Sequence, residues 1–381
     1  MQKIRVVELA NLYPAPLAGL MLRELGAQVF KVEAPPGGPG SDAVLRPETK
    51  NETVQFVSQR TFAAINEGKH SIVVNFSDPG QLGNLHRLIS TADVVILGFR
   101  PESLLKYKLD ARTLHSSFPA MVVCSITGYG LDGPLSLRAG HDINYLARSG
   151  VLGMGNLNDG IKSPLPFQAA DVAGGTYPAV MRILAALFER NSSGRGALLD
   201  ISMTDCSHSL LFLPQVSHWA TGGTAPVEGG QFVLTRSIPC YAIFATKDGR
   251  YMVVGALEAK YWRRAVDVLG LEEKYADASY QYGTTKRKSE ELMEKMKILF
   301  ASRTFAEWTE IFDAVDAMVD PVLTPEEAAQ SPQFQQRKAV RTIGPLHLPI
   351  TPVGRSLSGQ EPPNIAQGAA RIEDYFHRSS I

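Results

Sequence analysis

Cysteine is scarce in this chain of 381 residues, and so is any surplus of one charge. Cys124, Cys206 and Cys240 stand far apart in apolar stretches and form no CxxC or Cys/His cluster. That spacing suggests neither a disulfide framework nor a zinc site, and it fits a reducing, cytoplasmic setting. Lys plus Arg number 38 and Asp plus Glu number 38, so the formal net charge is zero. No global field exists to hold nucleic acid or an anionic membrane, and any anionic ligand must be met by local donors. Long hydrophobic runs are missing too: VVILGF is a typical maximum, against about 18 residues for a membrane span. The opening MQKIRVVELA reads as a strand and lacks the apolar core of a signal peptide. With 44% hydrophobic and 20% charged residues the composition is that of a globular protein, long enough for two domains.

What is present begins with alternation. IRVVEL, QVFKVE, SIVVNF, DVVILGF and AMVVCSI read as strands. PLAGLMLRELG, PGQLGNLHRLISTA and a stretch from Pro101 read as the helices between them, with a long Gly/Pro-bearing loop after the second strand. Continuous β-branched strands separated by helices predict a parallel sheet covered on both faces. A dinucleotide-binding site would place Glu33 on a ribose, but the first turn, ANLYPAPLAG, lacks G-x-G-x-x-G and carries two prolines where a pyrophosphate needs bare backbone. The architecture is kept and that ligand is not.

Further on, DVAGGTYPAVMRILAALFERNSSGRG predicts a strong helix from Asp171, and ALLDISMTD a strand with a turn. Residues 1–205 form the expected large domain, and 206–235, rich in glycine, proline and aromatics, a linker. A smaller α+β domain is expected over 236–315, opening on a hairpin that turns at Lys247-Asp248-Gly249. Residues 316–381, with a Pro-rich tail, read as an extended return strap rather than another packed unit.

The most unusual chemistry lies in RAGHDINYLARSGVL, where His141 and Asp142 follow Gly140 at the mouth of a predicted helix. Two readings stand side by side here: Asp142 or the glycine caps the helix and the histidine is incidental, or the histidine carries chemistry. Asp171 has the same double reading, as N-cap of the helix that follows or as a functional carboxylate. So does Glu258, in GALEAKYW.

Taken in order, VVELANLYPAPLAGLMLRELGAQVFKVEAP, ADVVILGFRPESLLKYKLD, SITGYGLDGP, AGHDINYLARSGVL, ADVAGGTYPAVMRILAALFERNSSGRG and DGRYMVVGALEAKYW resemble the family III CoA-transferases, and most specifically their α-methylacyl-CoA racemase branch. The resemblance thins after about residue 315, and GHDINY with the later AD-x-x-GG is its specific part. It implies a doubly wound, mostly parallel α/β large domain, a smaller α+β domain reached by a long linker, and a C-terminal segment that returns to the large domain. It implies as well a homodimer of interlocked rings, in which one subunit's large domain faces the other's small domain. It also implies a racemase or epimerase that inverts the α-carbon of a 2-methylacyl-CoA. CoA enters as part of the substrate, and neither a metal nor a separate cofactor is called for.

Inversion beside a thioester removes one proton and returns one from the opposite face, so two acid/base groups must flank the α-carbon. Histidine, with an unperturbed pKa of about 6.5, suits that work. By resemblance His141 and Asp171 are the pair, Asp142 orients the imidazole, and Glu258 approaches the histidine from the partner's small domain. The N-terminus of the helix at Asp171 would offer N–H groups to an enolate oxygen, with Gly174 and Gly175 letting substrate approach. For CoA the resemblance points to Val74, Asn75, Phe76 and Ser77, to Gly98, Phe99 and Arg100, to Lys106, and to the loop Gly140, His141, Asp142, Ile143, Asn144 and Tyr145. Strand ends are where open α/β sheets bind ligands, and Arg100 can stack on adenine or pair with phosphate.

Three features depart from the racemases. Ala34 replaces a basic residue found after the second strand in some of them, Phe167 replaces a frequent asparagine, and the loop from Pro35 to Phe62 is longer, resembling the transferase branch. Met154 offers a plastic apolar acyl surface or plain core. The alternatives are a CoA-transferase using Asp171 as covalent nucleophile, and a non-catalytic CoA-binding protein that would not need His141, Asp171 and Glu258 together.

Overall fold

The computed structural model describes residues 1, 3–35, 51–154, 165–220, 238–343 and 346–354. These fall into two compact units. The first is built on a six-stranded sheet whose strands are β1 (Arg5–Leu9), β2 (Gln28–Glu33), β3 (His70–Val73), β4 (Val94–Leu97), β5 (Val122–Thr127) and β6 (Leu198–Ser202). Its order is β3-β2-β1-β4-β5-β6 and every neighbouring pair is parallel. Winding therefore reverses between β1 and β4, and such a switch opens a ligand crevice at the carboxyl ends of the strands.

The β-branched runs are continuous because both faces of the sheet are covered. Val6, Val94, Ile96, Val122 and Cys124 join one buried cluster, with residues of α1 (Pro14–Glu24). Their strand neighbours Val7, Val95, Leu97 and Val123 join the other. At the switch, Leu9 lies beside Leu97, and a Cβ on Gly98 would come within 2.7 Å of the Ala10 side chain. The glycine is thus demanded by the close approach of β1 and β4.

Part of the expected long loop is helical. α2 (Glu52–Ile65) starts at Asn51, whose side chain accepts the Val54 N–H at 3.1 Å. The cap overrides the loop character of the Gly/Pro stretch before it; residues 36–50 lie outside the described residues. α3 (Pro79–Ile89), a 3₁₀ turn (Pro101–Tyr107) and α4 (Ala111–Ser117) occupy the connections to β4 and β5. α5 (Asp142–Ser149), a π-helix (Ala170–Thr176) and α6 (Tyr177–Ser193) lie between β5 and β6. Directly after β6 comes α7 (Met203–Ser209), where a turn was expected, because Ser202 caps it by accepting the Asp205 N–H.

Beneath α1 lies a buried ion cluster. Glu8 is fully buried, with Lys31 Nζ at 3.0 Å and Lys69 Nζ at 2.8 Å. Lys31 also donates to the Ala10 carbonyl at 2.8 Å, and Lys69 to the Pro16 carbonyl at 2.7 Å. The two lysines hold the Glu8 carboxyl below its usual range against the opposing effect of burial, while burial pushes Lys69 down to about 8.

The second unit opens with most of α8 (Phe212–Ala220), which lies inside the expected linker; residues 221–237 are outside the described residues. β7 (Ala242–Ala245) and β8 (Tyr251–Val254) form the expected hairpin, with Gly249 at φ 76° in its turn. α9 (Ala259–Val268), the short α10 (Ala278–Gln281), α11 (Lys286–Phe300) and α12 (Phe305–Asp313) follow. Its core gathers Phe244, Trp262, Phe300, Trp308 and Phe312, with Phe244 stacked on Phe300 at 4.9 Å. β9 (Val319–Pro321), in the stretch expected to be an extended strap, instead pairs with β8. Residues 355–381 are outside the described residues, and no helix among those described is long and apolar enough to cross a membrane.

Candidate active site

Three segments of the first unit converge at the crevice: the turn after β1, the start of α5 and the π-helix. α5 begins where the sequence places it, but neither Asp142 nor Gly140 is its cap. The N-cap is His141, extended at φ −126° and ψ 175°, and Asn144 Oδ1 accepts its backbone N–H at 3.0 Å. The loop before it is fixed from below. Tyr145, buried and edge-on to Tyr129 at 5.2 Å, donates its hydroxyl to the Gly140 carbonyl at 2.5 Å. His141 itself is exposed.

Asp171 is not an N-cap. The helix begins before it and runs from Ala170 to Thr176 as a π-helix, a form found mostly as short insertions inside α-helices and frequently at functional sites. The Asp171 backbone N–H donates to Asp142 Oδ1 at 3.0 Å. This corrects one expectation: Asp142 Oδ1 bonds the Asp171 amide, which is thereby engaged instead of awaiting an enolate oxygen.

The glycines are corrected as well. A Cβ on Gly174 would strike Ser207 Oγ and lie 2.7 Å from the Met203 carbonyl, and one on Gly175 would lie 3.3 Å from Pro14 Cβ. They let α7 and the start of α1 pack against the π-helix, rather than opening room for substrate. Thr176 Oγ1 then donates to the Pro14 carbonyl at 2.8 Å and to the Asp171 carbonyl at 3.2 Å, tying the turn after β1 to the helix of Asp171.

This environment changes the carboxyl. Burial, and secondarily the negative charge of Asp142, push Asp171 up to about 7. Tyr145 is also raised, by burial first and then by Asp171, while Arg100 pulls it down. Asp171, Asp142, Tyr145 and Arg100 therefore share one electrostatic neighbourhood, and His141 adjoins it through Asp142.

The remaining expected residues are more scattered. Val74 is buried, with its N–H on the Glu33 carbonyl at 2.9 Å. Asn75 turns its side chain back on the Ser77 N–H at 3.0 Å. Phe76 meets Tyr107 edge-on at 5.2 Å, and Lys106 Nζ lies 4.7 Å from the same ring. Phe99 and Arg100 line a cavity of about 170 Å³ with Leu97, Leu104, Asp110 and Ser125. Ile143 is 46% exposed at the start of α5. Glu258, in the second unit, takes the N-cap position of α9 but makes no side-chain cap bond. Phe167 is exposed just before the π-helix; Met154 ends a short 3₁₀ turn, and the residues that follow it, 155–164, are outside the described residues. Among the described residues no three His, Cys, Asp or Glu side chains gather to hold a metal ion.

The sequence reading missed Tyr13. Its phenol is pushed up by burial and then by Tyr177 and Asp171, so it belongs to the same neighbourhood. Two prolines and a missing glycine fingerprint drew attention to this turn only as an exclusion.

Comparison with known proteins gives a consistent picture. Residues 1–368 match CoA-transferase family III. The alpha-methylacyl-CoA racemase of Mus musculus is 34% identical over 345 residues, covering 90% of this chain and 82% of its own. The succinate–glutarate CoA-transferase of Agrobacterium fabrum is 31% identical, covering 88% of this chain and 82% of its own. A crystal structure of a CaiB/BaiF family protein from Brucella suis has the same fold, with a TM-score of 0.79 at 24% identity over 99% of this chain and 98% of that one.

Proposed function

Because the chain belongs to CoA-transferase family III, we propose that it acts on an acyl-CoA thioester and inverts the α-carbon of a 2-methylacyl-CoA, as a racemase or epimerase. One observation carries the reading. The Asp171 carboxyl is held at about 7, on a π-helix bonded to Asp142, the residue after His141. A group that must take a proton from one enantiomer and return it to the other is most effective when both of its forms are populated at the working pH.

In this mechanism one of His141 and Asp171 removes the α-proton, leaving an enolate, and the other protonates the opposite face. The first turn of α5 leaves backbone N–H groups without intrahelical partners, and these can hold the enolate oxygen in place of the Asp171 amide. Arg100 and Lys106 supply local positive charge for the phosphates of CoA, as a chain of zero net charge requires. Glu258, not used in capping α9, is kept as a third acid/base group, and the homodimer implied by the family resemblance is kept with it.

A second reading, transfer of CoA between carboxylic acids through Asp171 as nucleophile, is favoured by the similarity to the Agrobacterium transferase. A nucleophile must be ionised, and a carboxyl at about 7 is only partly so at neutral pH. That weighs toward acid-base work.

The pH dependence tests the reading. Where Asp171 acts as base it must be ionised, so exchange from that enantiomer rises with pH through about 7. Where it acts as acid it must be protonated, so turnover of the other enantiomer falls above about 7. In Asp142→Asn the amide oxygen still accepts the Asp171 N–H but the like charge is gone, so both limbs should move to lower pH. Profiles of kcat/KM for α-proton exchange, followed by NMR, give the answer. Limbs that stay in place in the variant would remove Asp142 from the role assigned to it.

A further inference from the structure

Tyr13 follows Leu12, a non-glycine residue held in the left-handed region at φ 65°, in the turn where the winding of the sheet reverses. Such backbone costs free energy and persists where surrounding structure holds it, often at ligand sites. Here the hold is visible: the next residue, Pro14, receives the Thr176 hydroxyl at 2.8 Å and packs on Gly175. The turn is thereby fastened to the helix that carries Asp171.

Tyr13 is half-buried, and it begins α1 without using its side chain as a cap. The hydroxyl of Tyr145 is engaged by Gly140, whereas that of Tyr13 has no hydrogen-bond partner among the described residues. The Tyr13 hydroxyl is not among the buried polar atoms left without a partner, so it reaches solvent and is open to a ligand. The groups in electrostatic reach are Tyr177 at the start of α6 and Asp171 on the π-helix, with Asp142 of α5 bonded to the latter's amide.

We propose that Tyr13 is a specificity residue whose hydroxyl donates to a neutral oxygen, a hydroxyl or carbonyl, on the acyl chain of the thioester. The Asp171 carboxyl disfavours an acyl carboxylate at the same place, since like charges repel in a half-buried site. A plain alkyl chain leaves the donor unmatched. The substrate class is therefore an oxygen-bearing, uncharged 2-methylacyl-CoA. This rests on the CoA-thioester reading of the same site.

The test uses non-transferable 2-oxoalkyl thioethers of CoA that differ only at the chain end, which is methyl, hydroxyl or carboxylate. Their binding to the full-length protein is measured by isothermal titration calorimetry. The hydroxyl compound should bind about 5-fold tighter than the methyl compound, the usual size for one neutral hydrogen bond. The carboxylate compound should bind most weakly. Tyr13→Phe should erase the hydroxyl preference and leave the methyl compound's Kd unchanged. A wild type without preference, a preference that survives in Tyr13→Phe, or an equal weakening of all three in the variant overturns the proposal while the CoA-thioester reading stands. Failure of the wild type to bind any of the three overturns that reading and the proposal with it.

Discussion

His141→Ala is expected to abolish α-proton exchange from one enantiomer of a 2-methylacyl-CoA far more severely than from the other, and Asp171→Ala to show the reverse bias. Each positioned acid or base contributes about 10²- to 10⁴-fold, so the asymmetry is large enough to measure in single-enantiomer assays. The reason lies in the two faces of the α-carbon. Removing the group that acts as base for one enantiomer stops proton abstraction at once. The same group is the acid for the other enantiomer, whose α-proton can still be abstracted and washed out by solvent. A transferase makes a different demand: Asp171→Ala removes its covalent nucleophile and ends all turnover, whereas His141→Ala leaves CoA exchange with an added carboxylate largely intact. Equal losses for both enantiomers in both variants would place the two residues in a common structural role.

The second large effect concerns the platform under the site. Glu8→Gln should cost roughly 3–5 kcal/mol of folding stability, because it removes the carboxylate that two buried lysines both bond. Glu8 is 0% exposed, and the Lys31 and Lys69 side chains are 2% and 1% exposed, so solvent cannot screen the loss. Lys69 also holds the Pro16 carbonyl in the first turn of α1, just past the turn that bears Tyr13. Urea unfolding followed by circular dichroism measures the change. Adding Lys69→Met to Glu8→Gln should be less harmful than the sum of the two single substitutions, since it removes one of the stranded charges. Additive losses would show that the cluster is not an electrostatic unit.

The strands of the large sheet were legible because residues such as Val94–Leu97 and Val122–Thr127 are covered on both faces, which writes an unbroken apolar run into the sequence. The hairpin at Gly249 was legible from its turn chemistry. The six-stranded order was not, since it depends on which helix crosses which face. The π-helix left no sign of its own, because its apolar spacing blends into the α-helix that continues it. The couplings that build the site were hidden for a related reason. Asp142 reaches Asp171 across 29 positions and Thr176 reaches Pro14 across 162, so no local pattern contains either. Gly174 and Gly175 were noticed but misread, as glycines that admit substrate and glycines that admit a neighbouring helix look identical in sequence. Tyr13 passed as part of a turn that only ruled out a dinucleotide.

The most direct measurement incubates the wild-type protein with a single enantiomer of a 2-methylacyl-CoA in D2O, with no carboxylate acceptor present. NMR reads deuterium at the α-carbon, and hydrolysis with chiral separation reads configuration. The account predicts deuterium incorporation accompanied by inversion, from either enantiomer, with the pH dependence of a carboxyl near 7. If the α-proton never exchanges while CoA moves readily to an added carboxylate, the racemase reading is wrong and CoA transfer through Asp171 takes its place.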